Sequence, residues 1–270
     1  MITINPRLGV SSWSLNNSLT RGDFSLLELP GLAAQHGLGK VEICHFHLKS
    51  TDPGYLAELK AAHADAGVIF YTFLQDAGDI THPDPEIREQ QIVGIERAID
   101  VAWACGAERI RVIAGSAEPS SEAMSISVKA LRRLAKYAVK RGVRVVTENW
   151  HRLLDHPAQV IELMEWTEGQ VGLKLDFGNW PRDRKYTDLP QIARFAECTH
   201  AKADFNPIPE GRTVAADAPS TGVIDEIDFV RCLDICKAAK FGGPHILIFA
   251  SPGDEWGSLD IMRDIAAKYV

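Results

Sequence analysis

Short apolar runs recur along the chain, and longer stretches lie between them in which apolar positions return every three or four residues. The runs are Leu8–Ser12, Lys40–Cys44, Ile69–Leu74, Arg109–Ile113, Arg144–Glu148, Gly172–Asp176, Thr199–Ala203 and Ile246–Phe249. Runs of this kind, rich in Val, Ile and Leu, read as parallel strands buried on both faces. The stretches between them read as amphipathic helices. Ile87–Cys105 puts Ile92, Ile95, Ala98, Ile99 and Ala102 on one face, and Ser127–Arg141 does the same with Leu131, Leu134, Ala135 and Ala138. Gly37, Gly67, Gly106 and Gly142 each stand just before the next strand, where a helix ends and a positive φ is needed.

Eight strand–helix units predict an α/β fold, a single (β/α)8 TIM barrel over residues 1–270. A doubly wound open sheet is the alternative. No Gly-x-Gly-x-x-Gly follows the first strand, which weighs against a dinucleotide-binding version of it. No Pro- or Ser-rich linker divides the chain, so one domain is expected. The connection from Asp204 to Val223 carries Pro207, Pro209, Gly211, Pro219 and Gly222. It is either a cover for a barrel mouth or a plain surface excursion.

Composition narrows the function. No apolar stretch approaches the roughly 20 residues that span a bilayer. The opening residues, Met1 to Arg7, lack a basic segment followed by an apolar one, so a cytoplasmic protein without a membrane partner is expected. The cysteines number five and are scattered, which favours reduced thiols. Cys232 and Cys236 read as core packing on one helix face rather than a metal clip. A net charge of −7 without a basic stripe argues against nucleic acid as a partner. Arg132, Arg133, Lys136, Lys140 and Arg141 read as a solvated helix face. A small neutral or anionic metabolite is the expected partner.

Three successive strands end in groups able to bind metal: Glu148, Asp176 and His200. A carboxylate or imidazole at the end of a buried run is costly unless it is paired or holds a cation. Strand ends of a barrel converge on one mouth, and neighbouring strands lie about 4.8 Å apart. The trio therefore predicts a site for one divalent ion, with Mn, Mg, Co and Zn all open. Such an ion would polarise a carbonyl, and a general base would then remove the neighbouring proton. Glu148 is a candidate base if its second oxygen is free. Lys202 shares the inward side of its strand with His200 and is a second catalytic candidate, as an acid or as a neutraliser of an enolate.

Substrate contacts are expected from other mouth positions. Trp13 follows strand one as a wall for a sugar ring or as a core residue. His47 and His45 flank Phe46 beyond strand two, on one side if the extended form continues. His151, with Arg152, follows Glu148 on its loop. Arg111 lies inside strand four, where its charge needs a buried partner, either Glu148 or a substrate anion. Arg212, in the long connection, is either a phosphate contact or simply exposed.

Thr147-Glu148-Asn149, Leu175-Asp176-Phe177-Gly178-Asn179 and His200-Ala201-Lys202 resemble the xylose isomerase-like TIM-barrel superfamily over essentially the whole chain. That group includes sugar isomerases and epimerases, dehydratases and endonuclease IV. The resemblance implies a metal-dependent isomerase or epimerase acting on a keto-sugar, polyol or sugar acid through an enediolate-like intermediate. A lyase, dehydratase or decarboxylase, or a non-catalytic sugar-binding barrel, stays open, and a homodimer would fit. In the epimerases a second Glu ends strand eight as fourth ligand and second base, whereas Phe249 stands here. Asp254 or Glu255 could reach back to replace it. Asn179 stands where those epimerases carry a histidine, so it is a hydrogen-bonding substrate contact and not a proton carrier. Endonuclease IV-like activity fits poorly, because the histidines of a trinuclear zinc cluster are missing.

Overall fold

The computed structural model describes residues 2–203, 226–248 and 254–270. Eight parallel strands close a barrel in sequence order: β1 (Asn5–Ser11), β2 (Leu38–Cys44), β3 (Ile69–Gln75), β4 (Arg109–Val112), β5 (Arg144–Glu148), β6 (Gly172–Asp176), β7 (Ala196–Lys202) and β8 (His245–Ile248). The helices described around it are α1 (Asn16–Arg21), α2 (Leu29–Gln35), α3 (Pro53–Ala66), α4 (Pro85–Ala104), α5 (Ser121–Val139), α6 (Pro157–Trp166), α7 (Arg182–Ile192), α8 (Glu226–Ala238) and α9 (Glu255–Ala266). The closed barrel was expected; the open sheet is excluded by the pairing of β1 with β8. No described helix is long and apolar enough to cross a membrane.

The strands form where two apolar layers meet. All seven residues of β2 are buried, because one side faces the barrel interior and the other the helices. The helices bury the faces their spacing predicts, Ile92, Ile95, Ile99 and Ala102 in α4 and Leu131, Leu134, Ala135 and Ala138 in α5. Side chains cap both starts: Asp84 accepts from the backbone of Glu86 at 2.8 Å, and Ser120 from that of Ala123 at 3.1 Å. Gly37, Gly67, Gly106 and Gly142 have φ of +73°, +65°, +82° and +71° and end their helices as their positions require. Cys232 and Cys236 are buried in the core face of α8. On the helix surface Arg133 pairs with Glu89 and Glu96, Arg132 with Glu168, and Arg141 with Asp100.

Some boundaries differ from the sequence expectation. β1 starts at Asn5, ahead of Pro6, because Asn5 N donates to Gly37 O at 2.9 Å and a register shift before Gly9 absorbs the proline. β7 starts at Ala196, where Glu197 at the rim pairs with Arg144 at 2.6 Å. Phe249, Arg212 and the connection from Asp204 to Val223 lie outside the described residues.

His63 on α3 is buried and stacks on Phe70 at 5.0 Å, with Nδ1 on Val68 O and Nε2 without a partner. Burial holds its pKa down at about 4. The unfolded chain therefore binds the proton more readily, and the stability present above pH ~6.5 is lost as pH falls toward 4. His63→Phe should change the thermal midpoint little at pH 7. It should raise it above wild type at pH 4.5, measured by circular dichroism melts.

Candidate functional site

The C-terminal ends of the strands surround a cavity of about 300 Å³. Its lining includes Trp13, Asp76, Arg111, Glu148, Trp150, Asp176, Asn179, His200 and Lys202, with Cys44, Leu74 and Ile248 as apolar wall. Among the described residues, Glu148, Asp176 and His200 form a group whose potential ligand atoms all lie within 4.8 Å of one another. Asp176 and His200 are register partners across β6 and β7, and Glu148 ends the adjacent β5.

Each carboxylate is fixed through one oxygen. Asp176 Oδ1 accepts from Gly178 N at 2.6 Å, and Glu148 Oε1 accepts from Asn179 Nδ2 at 2.8 Å. Asp176 Oδ2 and Glu148 Oε2 are buried and receive no hydrogen bond of good geometry. Cations stand near both: Lys202 Nζ is 3.1 Å from Asp176 Oδ2, and Arg111 Nε is 3.2 Å from Glu148 Oε2. Buried acceptors normally find donors. Two inward-facing oxygens met by ion pairs but by no well-formed hydrogen bond, beside an imidazole nitrogen, make a donor set that suits a divalent cation.

The surrounding charges set the protonation. Burial alone would raise the Glu148 carboxyl, but His200 and Arg111 hold it well below the usual carboxylate range. His200 loses proton affinity to burial and to Lys174, yet Glu148 and Glu42 raise it to about 9. Arg111 is enclosed by Asp76 at 2.6 Å and by Glu148, with its guanidinium 5.1 Å from the Trp150 ring centre. Lys202 Nζ also donates to Asn179 Oδ1 at 3.0 Å. Trp13 is 40% exposed and stands at the cavity edge-on to Phe46, so it is a wall rather than a core residue.

Other expected contacts lie elsewhere. The extended form does not continue past β2, because His45–His47 curl into a 3-10 turn. His47 sits outside the cavity lining with both nitrogens engaged, on Ser12 Oγ at 2.8 Å and Asn16 Oδ1 at 3.0 Å. His151 is exposed, at φ +60°, packed on Trp150, and is likewise outside the lining. Neither acid after strand eight reaches back. Asp254 caps α9, accepting from Gly257 N at 2.9 Å, and buried Glu255 accepts from the backbone of Asn17 and Ser18.

Sequence reasoning missed Asp76, Glu42 and Asn149. Asp76 follows β3 directly, a strand-end acid like the others. Glu42 lies within the apolar run of β2, a signal of the kind that singled out Arg111. Asn149 follows Glu148 and grips the next strand: it accepts from Asp176 N at 2.7 Å and donates to Asp176 O at 3.1 Å.

A family model described as xylose isomerase-like TIM barrel matches residues 30–264. No curated protein sequence matched the chain. A structure of L-ribulose 3-epimerase aligns with a TM-score of 0.73 at 16% identity, covering 100% of this chain and 94% of that one. The probable 3-DHS dehydratase AsbF involved in petrobactin synthesis, from Bacillus anthracis, aligns at 0.70 and 14%, covering 97% and 98%. A xylose isomerase-like TIM barrel protein from Mycobacterium smegmatis in complex with magnesium aligns at 0.69 and 14%, covering 97% and 96%. At these identities the likeness is one of fold.

The Asn149 grip is open to test. Asn149→Ala leaves the buried N–H and C=O of Asp176 unpaired, at about 1–3 kcal/mol for each. Urea unfolding should show a loss in that range or above. Asn149→Asp keeps the acceptor but loses the donor and buries a further negative charge against the Asp176 carbonyl, so its loss should be at least as large.

Proposed function

The chain belongs to the xylose isomerase-like TIM-barrel family, and we propose that within it this protein is a divalent-metal-dependent enzyme moving a proton next to a carbonyl. The substrate class is a keto-sugar, polyol or sugar acid, and isomerisation or epimerisation through an enediolate-like intermediate is the leading reaction. The observation that carries the reading is the meeting of Glu148, Asp176 and His200, with one oxygen on each carboxylate receiving ion pairs but no hydrogen bond of good geometry. These three residues would hold the ion. A divalent cation there polarises a carbonyl oxygen and raises the acidity of the adjacent C–H.

The chain's own groups divide the remaining work. Glu148 is ionised throughout the neutral range and is a weak base, so it suits a carbon acid that is already activated. Lys202 Nζ lies across from it, beside Asp176 and Asn179, where it neutralises developing negative charge and returns a proton. Arg111 keeps Glu148 ionised and, with Asn179, orients substrate oxygens. Trp13 and Trp150 supply flat apolar walls for a sugar-like ligand and exclude water.

A lyase or dehydratase working with one base is the second reading. Its support is specific: Asp254 and Glu255 are both committed to helix and loop contacts, and Phe249 stands where a second base is expected.

Wild type stripped with EDTA should bind Mn²⁺, Mg²⁺, Co²⁺ or Zn²⁺ in calorimetry. Glu148→Ala, Asp176→Ala and His200→Ala should each lose measurable binding while remaining folded. Lys202→Met should keep metal and slow turnover by about 10²–10⁴-fold. With a keto-sugar in D₂O, wild type should wash deuterium into the carbon beside the carbonyl. Metal binding without any such exchange across keto-sugars and sugar acids contradicts the enzymatic reading.

A further inference from the structure

Glu42 is fully buried in the middle of β2 and takes no part in the cavity lining. An isolated carboxylate there would be costly. Glu42 has two partners. One oxygen takes Lys174 Nζ from β6, the stave opposite in the closed ring, and Lys174 is itself fully buried. The other, Oε2, lies 2.8 Å from His200 Nε2.

The two ring nitrogens of His200 thus address different groups. Nε2 points down at Glu42, while Nδ1 faces Glu148 Oε1 at 3.2 Å and Asp176 Oδ2 at 3.6 Å. A neutral imidazole has one N–H and one lone pair. Carboxylates face both nitrogens and can only accept, so the metal-free imidazole carries hydrogen on both. A cation held between Glu148 and Asp176 requires loss of the Nδ1 hydrogen, while Nε2, held against Glu42, keeps its own. We infer that Glu42, tethered by Lys174, is a positioning residue that fixes His200 as its Nε2–H tautomer and so makes Nδ1 the metal-binding atom.

The inference rests on the metal reading above. It adds that a group outside the cavity sets metal affinity, the role outer carboxylates play behind ligating histidines. It also explains why a Lys–Glu pair sits in the barrel interior below the cavity. Lys174 holds the carboxylate in place, and the carboxylate holds the ring.

The tautomer makes the test specific. In Glu42→Gln, Lys174 claims the amide oxygen and the amide NH₂ faces Nε2, which favours the tautomer with hydrogen on Nδ1. Zn²⁺ affinity should fall roughly 10–100-fold in calorimetry, more than any change in the melting of the metal-free protein explains. In Glu42→Gln/Lys174→Met the amide oxygen is released to accept from Nε2–H, and most of the affinity should return. Glu42→Leu/Lys174→Met, which also removes the buried charge pair but has no acceptor, should bind as weakly as Glu42→Gln. Comparing the two double variants gives the answer even if Glu42→Gln alone does not fold. ¹⁵N NMR of Zn²⁺-loaded wild type should find the His200 hydrogen on Nε2. Equal Zn²⁺ affinity in the two double variants, or hydrogen on Nδ1, overturns the inference alone. Absence of binding by wild type to Zn²⁺, Mn²⁺, Co²⁺ and Mg²⁺ alike overturns the metal reading and this inference with it.

Discussion

Charge in the closed interior of a parallel barrel has little water to turn to, so each charged side chain has to be matched by another that reaches it across the staves. In this chain β2, β4, β5, β6 and β7 all send charge inward, as Glu42, Arg111, Glu148, Lys174, Asp176 and His200, and all are buried. The pairings follow from that constraint. Lys174 crosses to Glu42, His200 links Glu42 to Glu148, and Arg111 joins Glu148 to Asp76 at the rim. Buried pairs of this kind add little net stability compared with apolar packing, but losing one member leaves a charge stranded. Their effect is to fix geometry.

The network is satisfied at its base and incomplete at its top. Below the cavity, Glu42 is matched by Lys174 and His200 and is held ionised down to about 2, since these cations outweigh its burial. At the mouth, Glu148 Oε2 has Arg111 in ion-pair range and Asp176 Oδ2 has Lys202 and His200, but neither oxygen receives a hydrogen bond of good geometry. A complete base beneath an incomplete rim is an arrangement suited to a ligand of positive charge. Asn149 adds stiffness by tying the ends of β5 and β6 together through the backbone of Asp176. Trp13 and Trp150 flank the same opening, which gives it an apolar border.

The barrel was legible because its signal is repeated: eight buried runs, helical spacing between them, and a glycine where four helices end. The Glu–Asp–His trio was legible for a related reason, since strand ends in this topology must converge. Residues whose position depends on local chain path were not. His47 was placed by extending β2, but the chain turns at His45 and the imidazole becomes a brace for Ser12 and Asn16. Glu255 had the right charge to replace a ligand, yet a helix begins there and its carboxylate is taken by the backbone of α1. Glu42 carried the same buried-charge signal as Arg111 but lies two residues short of its strand end. Its partner in β6 is far away in sequence and adjacent only once the ring has closed.

The central claim is that the mouth of this barrel is a metal centre built by three adjacent staves. An anomalous difference map from crystals soaked in Mn²⁺, collected where manganese scatters anomalously, tests it most directly. The account predicts one strong peak bounded by Glu148, Asp176 and His200, with the imidazole contributing Nδ1. A map with no peak among those three side chains at saturating Mn²⁺ would contradict it.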